Sequence, residues 1–532
     1  MKKNSFVFGA IILAISGIIC KILGAVYKIP LTNILGSQGM GIYYLIFPIY
    51  AFLLSFTSNS FSTALSKKVS SFLAEDKRQE SHMLFRASIV FLSILGLLAG
   101  VVLGLLSKII SSLQGVENAF VCYIIIAPSV VVVAIGSAFK GYFQGLQNMI
   151  PTAISQVLSQ LIKLAVGFLL ASIFVKSGVV YGTVGALLGV TLSEVVSTLF
   201  FVIYYLIYKK KNKLKFNFSK SENNKKYLWK YIKTIVKEAI PFTLTSVILP
   251  MSMVIDSFLI VNILKGQSFD KAFATSLLGL NSGVVNTLVG LPSTFSVGIC
   301  MAIVPYITFA LSKRRYEEIS YKTVLAFKLS LFIAIPCTFV FAFFSPQILN
   351  LLYSSTFSSG YEFSFASTLL TLSAVNVLYL TLLQLSTSLL QAINRSYVPV
   401  ISLSVALIFK VLCEVVLISN PYLNIAGAVL SNAVCYFVST AINIYAFKKQ
   451  IKLEFSFYKI VVCPLICGLL MSGVIYFLII LLAKFLSLKI SFLISCVIGA
   501  ILYLVLLFIL KAFTKEETAS LFSLKRFKNK VT

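Results

Sequence analysis

Two lysines lie inside apolar stretches of the sequence at matching distances from similar neighbours. The spacing from Gln144 to Lys163 is identical to the spacing from Gln391 to Lys410. Each lysine also follows a proline at nearly the same distance, and proline is well tolerated in the first turn of a helix. Both ammonium groups are therefore expected roughly 16–18 Å along a membrane helix, near the middle of a hydrocarbon core about 30 Å thick.

A charge at that depth points to a function. A lysine at the bilayer midplane costs about 2.5–3.5 kcal/mol on insertion scales, and such residues face a bundle interior or a water-filled cavity. Together with Lys21, the two lysines predict a pathway for an anion, whose lost hydration the ammonium donors would replace. Lys28 is a fourth candidate, although it and Lys140 lie nearer span ends, where snorkelling is the simpler explanation.

Three carboxylates in apolar stretches, Glu194, Asp256 and Glu414, leave another interpretation open. Glu414 follows Lys410 by four residues and shares its helix face, so the two charges could simply neutralise each other, and Glu194 could do the same for Lys163. Asp256 is expected to face the cavity and to bind a coupling cation. Apart from such a cation, the sequence predicts no cofactor and no metal, because it has one histidine and nine scattered cysteines.

The composition is that of a polytopic membrane protein. Hydrophobic residues make up 59% of the chain, charged residues 11%, and the mean hydropathy is +0.98. Hydropathy predicts an all-α protein with about fourteen membrane-spanning helices. Their predicted limits are 6–29, 41–65, 84–110, 119–141, 151–175, 179–208, 233–262, 277–310, 321–345, 363–390, 398–419, 424–447, 455–483 and 489–512.

The distribution of charge predicts the orientation in the membrane. Lysine and arginine concentrate in loops on one side, above all at 209–232, whereas the opposite loops 111–118 and 345–362 contain neither. The positive-inside rule therefore places both termini in the cytoplasm. Topology and attraction to anionic membrane lipid explain the formal net charge of +29. Nucleic acid is not an expected partner, because the basic loop is poor in aromatic residues.

An internal repeat organises the chain. The spacing from Gly185 to Ser197 equals the spacing from Gly427 to Ser439, within similar local sequences. The copies are offset by 247 positions at the lysines and by 242 at these glycines, which predicts a parallel repeat about an axis along the membrane normal. The predicted domains are an N-lobe of six helices at 1–208, a basic cytoplasmic linker at 209–232, a C-lobe of six helices at 233–447, an extension of two helices at 448–512 and a basic cytoplasmic tail at 513–532.

Short motifs near the N-terminus carry a family resemblance. They are KILG at 21–24, IPLT at 29–32, GMGIY at 39–43, FPIY at 47–50 and ALSKKVS at 64–70. They resemble the polysaccharide biosynthesis exporters, and within them the stage V sporulation protein B branch and the MurJ-type lipid II flippases of the multidrug/oligosaccharidyl-lipid/polysaccharide (MOP, MATE-like) superfamily. Lys21 departs from the arginine that relatives often carry, and lysine lacks the planar fork that grips phosphate.

The resemblance implies two lobes around a central cavity that open alternately, in a bacterial plasma membrane. It also implies a polyprenyl-diphosphate-linked oligosaccharide as cargo, a groove for the lipid tail at the two extra helices, and cell-wall synthesis enzymes as partners. The leading hypothesis is a flippase for an undecaprenyl-diphosphate-linked glycan, a cell-wall or spore-cortex precursor. A cation-coupled multidrug exporter is the alternative, supported by Glu194 and Asp256. A glycan polymerase, and with it any enzyme, is disfavoured because the outward loops are short.

The charge asymmetry can be tested directly. A cysteine reporter at Ser219 should react only with reagents on the cytoplasmic side, and one at Ser358 only with reagents outside, because the positive loops stay inside. Labelling of sealed cells with a membrane-impermeant maleimide measures both positions. External labelling of position 219 would reverse the predicted orientation.

Overall fold

A computed structural model of the chain describes residues 4–211, 224–357, 359–453, 456–510 and 512. These residues form helices joined by short connections and contain no strand, so the predicted all-α class is confirmed. Residues 212–223 of the predicted linker and the predicted tail at 513–532 lie outside the described residues, as do the reporter positions Ser219 and Ser358.

Seventeen α-helices follow one another along the described part of the chain. They are α1 Asn4–Leu54, α2 Ser60–Ala74, α3 Arg78–Leu113, α4 Phe120–Gly145, α5 Ile150–Ile162, α6 Phe168–Phe174, α7 Val179–Lys211, α8 Asn224–Gly266, α9 Lys271–Gly279, α10 Asn286–Ser312, α11 Tyr316–Phe343, α12 Ser345–Leu352, α13 Gly360–Ala392, α14 Tyr397–Ile418, α15 Ala426–Lys448, α16 Cys463–Leu482 and α17 Leu488–Ile509.

Thirteen helical segments of the described chain are long and apolar enough to cross a membrane. The first, Ile15–Ala74, contains 60 residues, far more than the roughly 20 that one crossing needs. Its backbone breaks at Gly36, whose φ of 68° lies in the left-handed region that glycine adopts without a Cβ penalty. The break divides this segment into the first two predicted spans, so the described helices are consistent with the predicted fourteen.

Four π-helical turns interrupt the helices within the described residues, at Ser55–Asn59, Lys163–Gly167, Leu280–Val285 and Tyr458–Val462. A π turn inserts an extra residue into a helix and is frequent at functional sites. One of them begins at the candidate Lys163. The eighth predicted span, whose prolines Pro292 and Pro305 suggest a kink, continues as helix to Ser312, and its irregular turn lies upstream of both prolines.

The chain forms two compact units. Unit 1 consists of the described residues of Met1–Thr287, Tyr353–Phe365 and Leu403–Ser431, and unit 2 of those of Leu288–Leu352, Ala366–Ser402 and Asn432–Thr532. Helices α2, α3, α4, α7 and α8 enclose an aromatic-rich core in unit 1, and α16 packs along α17 in unit 2. The predicted lobes at 1–208 and 233–447 are defined by the repeat rather than by packing, and they stay a prediction.

Packing within unit 1 reproduces the sequence repeat. A Cβ atom added to Gly185 would lie 2.5 Å from the carbonyl oxygen of Leu170, and one added to Gly427 would lie 2.6 Å from the carbonyl carbon of Leu417. Leu170 and Leu417 are 247 positions apart, the same offset that relates the two candidate lysines. The two glycines therefore serve the same purpose in each copy, which is close packing of one helix on the end of the preceding one.

Helices α1 and α9 of unit 1 approach each other so closely that only glycine fits at the crossing. A Cβ atom at Gly41 would lie 2.0 Å from the carbonyl oxygen of Thr275, and one at Gly279 would lie 1.9 Å from that of Ser37. Small residues let membrane helices associate through van der Waals contact, because lipid provides no hydrophobic force between them. This crossing fixes the part of α1 that follows the break at Gly36.

The crossing predicts that replacing glycine by valine has a much larger effect on stability at Gly41 than at a glycine with free space around it. Gly41→Val should lower the melting temperature of the purified protein in detergent, because overpacking typically costs about 1–3 kcal/mol. The matched control is Gly104→Val on α3, where an added Cβ meets no atom within 4 Å. Equal melting temperatures for the two variants would show that the α1–α9 crossing does not control stability.

Candidate functional site

All the predicted site residues lie in unit 1, but they do not form one cluster. Lys21 and Lys28 are on α1, Lys163 starts the π turn after α5, Glu194 is on α7, Asp256 is on α8, and Lys410 and Glu414 are on α14. Apart from Lys21, they belong to three arrangements, which are a pair of lysines held by aromatic side chains, a polar cavity and a buried ion pair.

Lys163 is held by aromatic rings. Its Nζ lies 5.2 Å from the ring centroid of Tyr27 and 5.6 Å from that of Phe47. Such cation–π contacts are each worth about 0.5–2 kcal/mol, with the larger values in desolvated sites. Among the described residues, no carboxylate lies within 4 Å of this ammonium group, and Glu194 and Lys28 act on it from farther away. The rings hold the cation in place without neutralising it.

Close packing at the π turn positions the ring of Tyr27. A Cβ atom at Gly167, the last residue of the turn, would lie 2.8 Å from the Tyr27 hydroxyl oxygen. On α7, a Cβ at Gly189 would lie 2.1 Å from the Cα of Gly167, so this helix presses directly on the turn. Two glycines therefore bring α1, α7 and the π turn together around Lys163.

Lys28 also lies in this part of unit 1 without a carboxylate. Its Nζ donates a hydrogen bond of 2.8 Å to the Tyr44 hydroxyl, whose oxygen lies 3.5 Å from Thr287 Oγ1. No carboxylate lies within 4 Å of Lys28 among the residues that the structure describes. Lys21, two turns earlier on α1, is exposed. A hydroxyl partner, rather than snorkelling alone, thus accounts for the position of Lys28.

Unit 1 encloses a polar cavity of about 350 Å³ beside these lysines. Ten polar side chains line it, from the Ser55–Asn59 π turn, α4, α5 and α7. They are Asn59, Ser137, Lys140, Ser155, Gln156, Ser159, Gln160, Glu194, Ser197 and Thr198. Ser159 Oγ donates to the Glu194 carboxylate at 3.3 Å, and Lys140 provides the balancing positive charge. The cavity combines hydrogen-bond donors and acceptors with one charge of each sign.

Sequence reasoning missed most of this cavity. Lys140 lines it, so snorkelling is not needed to explain where this side chain lies. Gln156 and Gln160 were not identified as candidates, although a signal was available. Together with Lys163 they recur at helical spacing along α5, which marks a single polar face in an otherwise apolar span.

Lys410 forms a buried ion pair. Its Nζ lies 2.6 Å from both carboxylate oxygens of Asp256 on α8 and donates to Ser252 Oγ at 2.9 Å. The lysine side chain is 3% exposed and the aspartate 21%. The sequence left open a pairing of Lys410 with Glu414 along one helix, but the nearer carboxylate comes from another helix. A role of Lys410 in binding cargo stays a prediction. Repeat-related lysines thus differ, since Lys410 is neutralised and Lys163 is not.

Glu414 is completely buried, at 0% exposure, next to this pair. Neither of its carboxylate oxygens has a hydrogen-bond partner among the described residues. Its charged neighbours are Asp256 and Lys410. The group therefore contains two carboxyl groups for one ammonium group.

Solved structures share the fold of this chain. The chain superposes on the lipid II flippase MurJ in an inward closed conformation with a TM-score of 0.69 and 16% identity, over 94% of this chain and 99% of that one. An inward-facing MATE family multidrug resistance transporter of the MOP superfamily gives 0.60 and 17%, over 83% and 98%. The predicted all-α, multi-helix fold is therefore confirmed, and it is the fold of these two proteins.

Sequence comparison supplies the family. The model described as polysaccharide biosynthesis protein matches residues 6–311, and the MatE model matches residues 276–416. The first match spans more than half of the chain. The chain therefore belongs to the polysaccharide biosynthesis protein family.

Two relatives of Bacillus subtilis (strain 168) match over most of their length. Stage V sporulation protein B is 24% identical over 477 residues, which cover 88% of this chain and 89% of the relative. The lipid II flippase MurJ is 25% identical over 478 residues, which cover 88% and 86%. Both matches span most of this chain, so the similarity is not confined to the N-terminal motifs.

The ion pair predicts a pattern of stabilities. Lys410→Met should destabilise the protein by about 3 kcal/mol or more, because it leaves the Asp256 carboxylate buried without its partner. The double variant Lys410→Met with Asp256→Asn should recover most of that loss. Thermal unfolding in detergent measures each variant. Glu414→Gln is the control, since it removes no hydrogen bond seen in the structure; a double variant no more stable than Lys410→Met would contradict the pairing.

Proposed function

We propose that the protein flips an undecaprenyl-diphosphate-linked glycan from the inner to the outer leaflet by alternating access. The observation that carries this proposal is the pair Lys28 and Lys163, which lie in unit 1 without a carboxylate within 4 Å among the described residues. A diphosphate provides the missing negative charge, and charge-assisted hydrogen bonds to its oxygens would replace the water it loses. Without a bound anion, the positive charge of such a site is not balanced.

The alternative cargo, a cationic drug, fits this arrangement less well. A cation would be repelled by Lys28 and Lys163, and the Asp256 carboxylate is already occupied by Lys410. Glu194 is the one observation in favour of a drug, because it lines the polar cavity. Lys140 lines the same cavity and lowers its attraction for cations.

An apolar cavity supports a lipid tail as part of the cargo. It lies within unit 2, has a volume of about 260 Å³ and is lined by Val324, Phe327, Leu331, Leu382, Ile444, Lys448, Leu453, Phe457, Ile460 and Val461. Nine of these ten side chains are apolar, so the cavity suits a segment of hydrocarbon chain. The extra helix α16 begins just after the last of these residues, consistent with the expected tail groove.

The remaining assignments follow from the same proposal. Lipid translocation needs no bond to be made or broken, so no catalytic residue is assigned. The names of the relatives, a lipid II flippase and a sporulation protein, support a cell-wall or spore-cortex precursor as the glycan and cell-wall synthesis enzymes as partners. Glu414, whose carboxylate oxygens have no hydrogen-bond partner among the described residues, is the carboxylate available to a coupling cation, and Asp256 could bind one only after release from Lys410. Both termini are assigned to the cytoplasm.

Transport assays on lysine variants test the anion site. In proteoliposomes with a fluorescent undecaprenyl-diphosphate disaccharide, Lys163→Gln and Lys28→Met should slow flipping about tenfold or more, because each removes a charge-assisted hydrogen bond worth about 1.5–3 kcal/mol. Lys163→Arg and Lys21→Arg should retain activity, since guanidinium also binds phosphate, whereas Lys21→Ala should lose it. Flipping is read from the fraction of label protected from an external quencher.

The matched control is Lys108→Gln. The Lys108 Nζ lies 5.6 Å from the Phe120 ring centroid, so it shares the aromatic contact of Lys163, but it stands near the end of α3. This variant should transport at the wild-type rate. Normal flipping by Lys163→Gln would overturn the anion site at that residue. A wild type that does not flip the lipid but takes up a cationic dye, with uptake that requires Glu194, would replace the flippase proposal with the drug-exporter alternative.

A further inference from the structure

We infer that the polar cavity of unit 1 is a carbohydrate subsite, which binds the first sugar of the cargo while Lys163 and Lys28 bind its diphosphate. This inference rests on the proposed function and deepens it. The diphosphate site alone leaves Gln156, Gln160 and Glu194 without a role, and the carbohydrate subsite gives them one.

The chemistry of the lining favours a sugar. Side-chain amides and hydroxyls can both donate and accept hydrogen bonds, as can each hydroxyl of a sugar ring. The cavity offers three amides, from Asn59, Gln156 and Gln160, and a set of serine and threonine hydroxyls. Its two charged groups, Lys140 and Glu194, are of opposite sign, so the cavity has little net attraction for an ion. A neutral ligand with many hydroxyls satisfies more of these groups than an anion or a cation would.

The size of the cavity limits how much glycan it can hold. Sites for small molecules range from roughly 300 to 1,000 Å³, and this one has about 350 Å³. It is therefore suited to a single ring with its substituents rather than to a long oligosaccharide. Phe201 supplies an aromatic side chain at the wall, against which the apolar face of a ring can pack.

The cavity and the cations are neighbours, as are the sugar and the diphosphate of the proposed cargo. Gln156, Gln160 and Lys163 lie four and three residues apart, on one face of the helix, so one turn of about 5.4 Å separates the cavity lining from the cation. The first sugar of a lipid-linked glycan is bonded directly to the diphosphate. A ligand whose phosphate contacts Lys163 would thus extend its sugar along the same face toward Gln160.

Helix α1 closes this arrangement from the other side. Gly17 and Cys20 line the cavity, and a Cβ added to Gly24 would lie 3.9 Å from Gln160 Oε1. The same helix carries Lys28 and the Tyr27 ring that holds Lys163. The two subsites therefore share both α1 and the helical segment 150–167.

Binding of two lipids that differ only in the sugar tests the inference. The full-length protein in nanodiscs is titrated with undecaprenyl diphosphate and with undecaprenyl-diphosphate-N-acetylglucosamine, and dissociation constants are measured by native mass spectrometry. The wild type should prefer the glycosylated lipid by about tenfold, which is roughly the effect of one net hydrogen bond. The double variant Gln156→Leu with Gln160→Leu should lose this preference, whereas Lys163→Gln should weaken both lipids alike.

Two further variants keep the result interpretable. Gln79→Leu, an exposed position at the start of α3, is the matched control and should leave both affinities unchanged. Ser155→Ala with Ser159→Ala removes hydroxyls from the cavity with little change in volume, and it should reduce the preference even if the glutamine variant unfolds.

Each outcome separates the two claims. A wild type that binds both lipids equally, with Lys163→Gln weakening both, overturns the carbohydrate subsite and leaves the flippase proposal standing. A sugar preference that depends on Gln156 and Gln160 while Lys163→Gln changes nothing overturns the diphosphate site. A preference that disappears when phosphatidylethanolamine replaces phosphatidylglycerol in the nanodisc assigns the cavity to a zwitterionic lipid headgroup and overturns the inference.

Discussion

The absence of bulk water around a charged side chain is the constraint on which this molecule depends. A charge in the membrane interior must find its compensation within the protein, and the lysines do so in different ways. Lys410 has a carboxylate, Lys163 has two aromatic rings, and Lys28 has a tyrosine hydroxyl. Only the first of these arrangements cancels the charge. The other two hold a cation in position without balancing its charge. A cation whose charge is not balanced is what an anion-binding site requires.

Helix α1 connects this electrostatic arrangement to the packing of unit 1. Its break at Gly36 gives its two halves separate directions, and its crossing with α9 at Gly41 fixes the later half. The earlier half carries Lys28, and the adjacent Tyr27 reaches the π turn that begins at Lys163. A change in the angle of this helix would therefore move two cations and an aromatic ring together. Helix geometry and site geometry cannot change independently here.

The sequence predicted those features that depend only on the positions of residues within one helix. Hydropathy located the spans, and equal spacing located the repeat, which the packing of Gly185 and Gly427 reproduces. It could not predict which helices face one another, so the only partner it offered Lys410 was Glu414, four residues away, whereas Asp256 on α8 lies 2.6 Å from its ammonium group. The cavity beside Lys140 was missed for the same reason, because depth along a helix does not reveal a cavity next to it. The π turns left no hydropathy signal, since they change backbone register and not composition.

The difference between the two repeat-related lysines has an electrical consequence. An ion pair such as Lys410 with Asp256 has no net charge, so moving it along the membrane normal does almost no work against the transmembrane voltage. An ammonium group without a carboxylate, such as that of Lys163, gains or loses about 2.3 kcal/mol for each 100 mV it fully crosses. A voltage therefore favours positions of this ammonium group nearer the negative side of the membrane. Of the two repeat-related lysines, only the one without a carboxylate within 4 Å among the described residues offers a charge on which the voltage can do work.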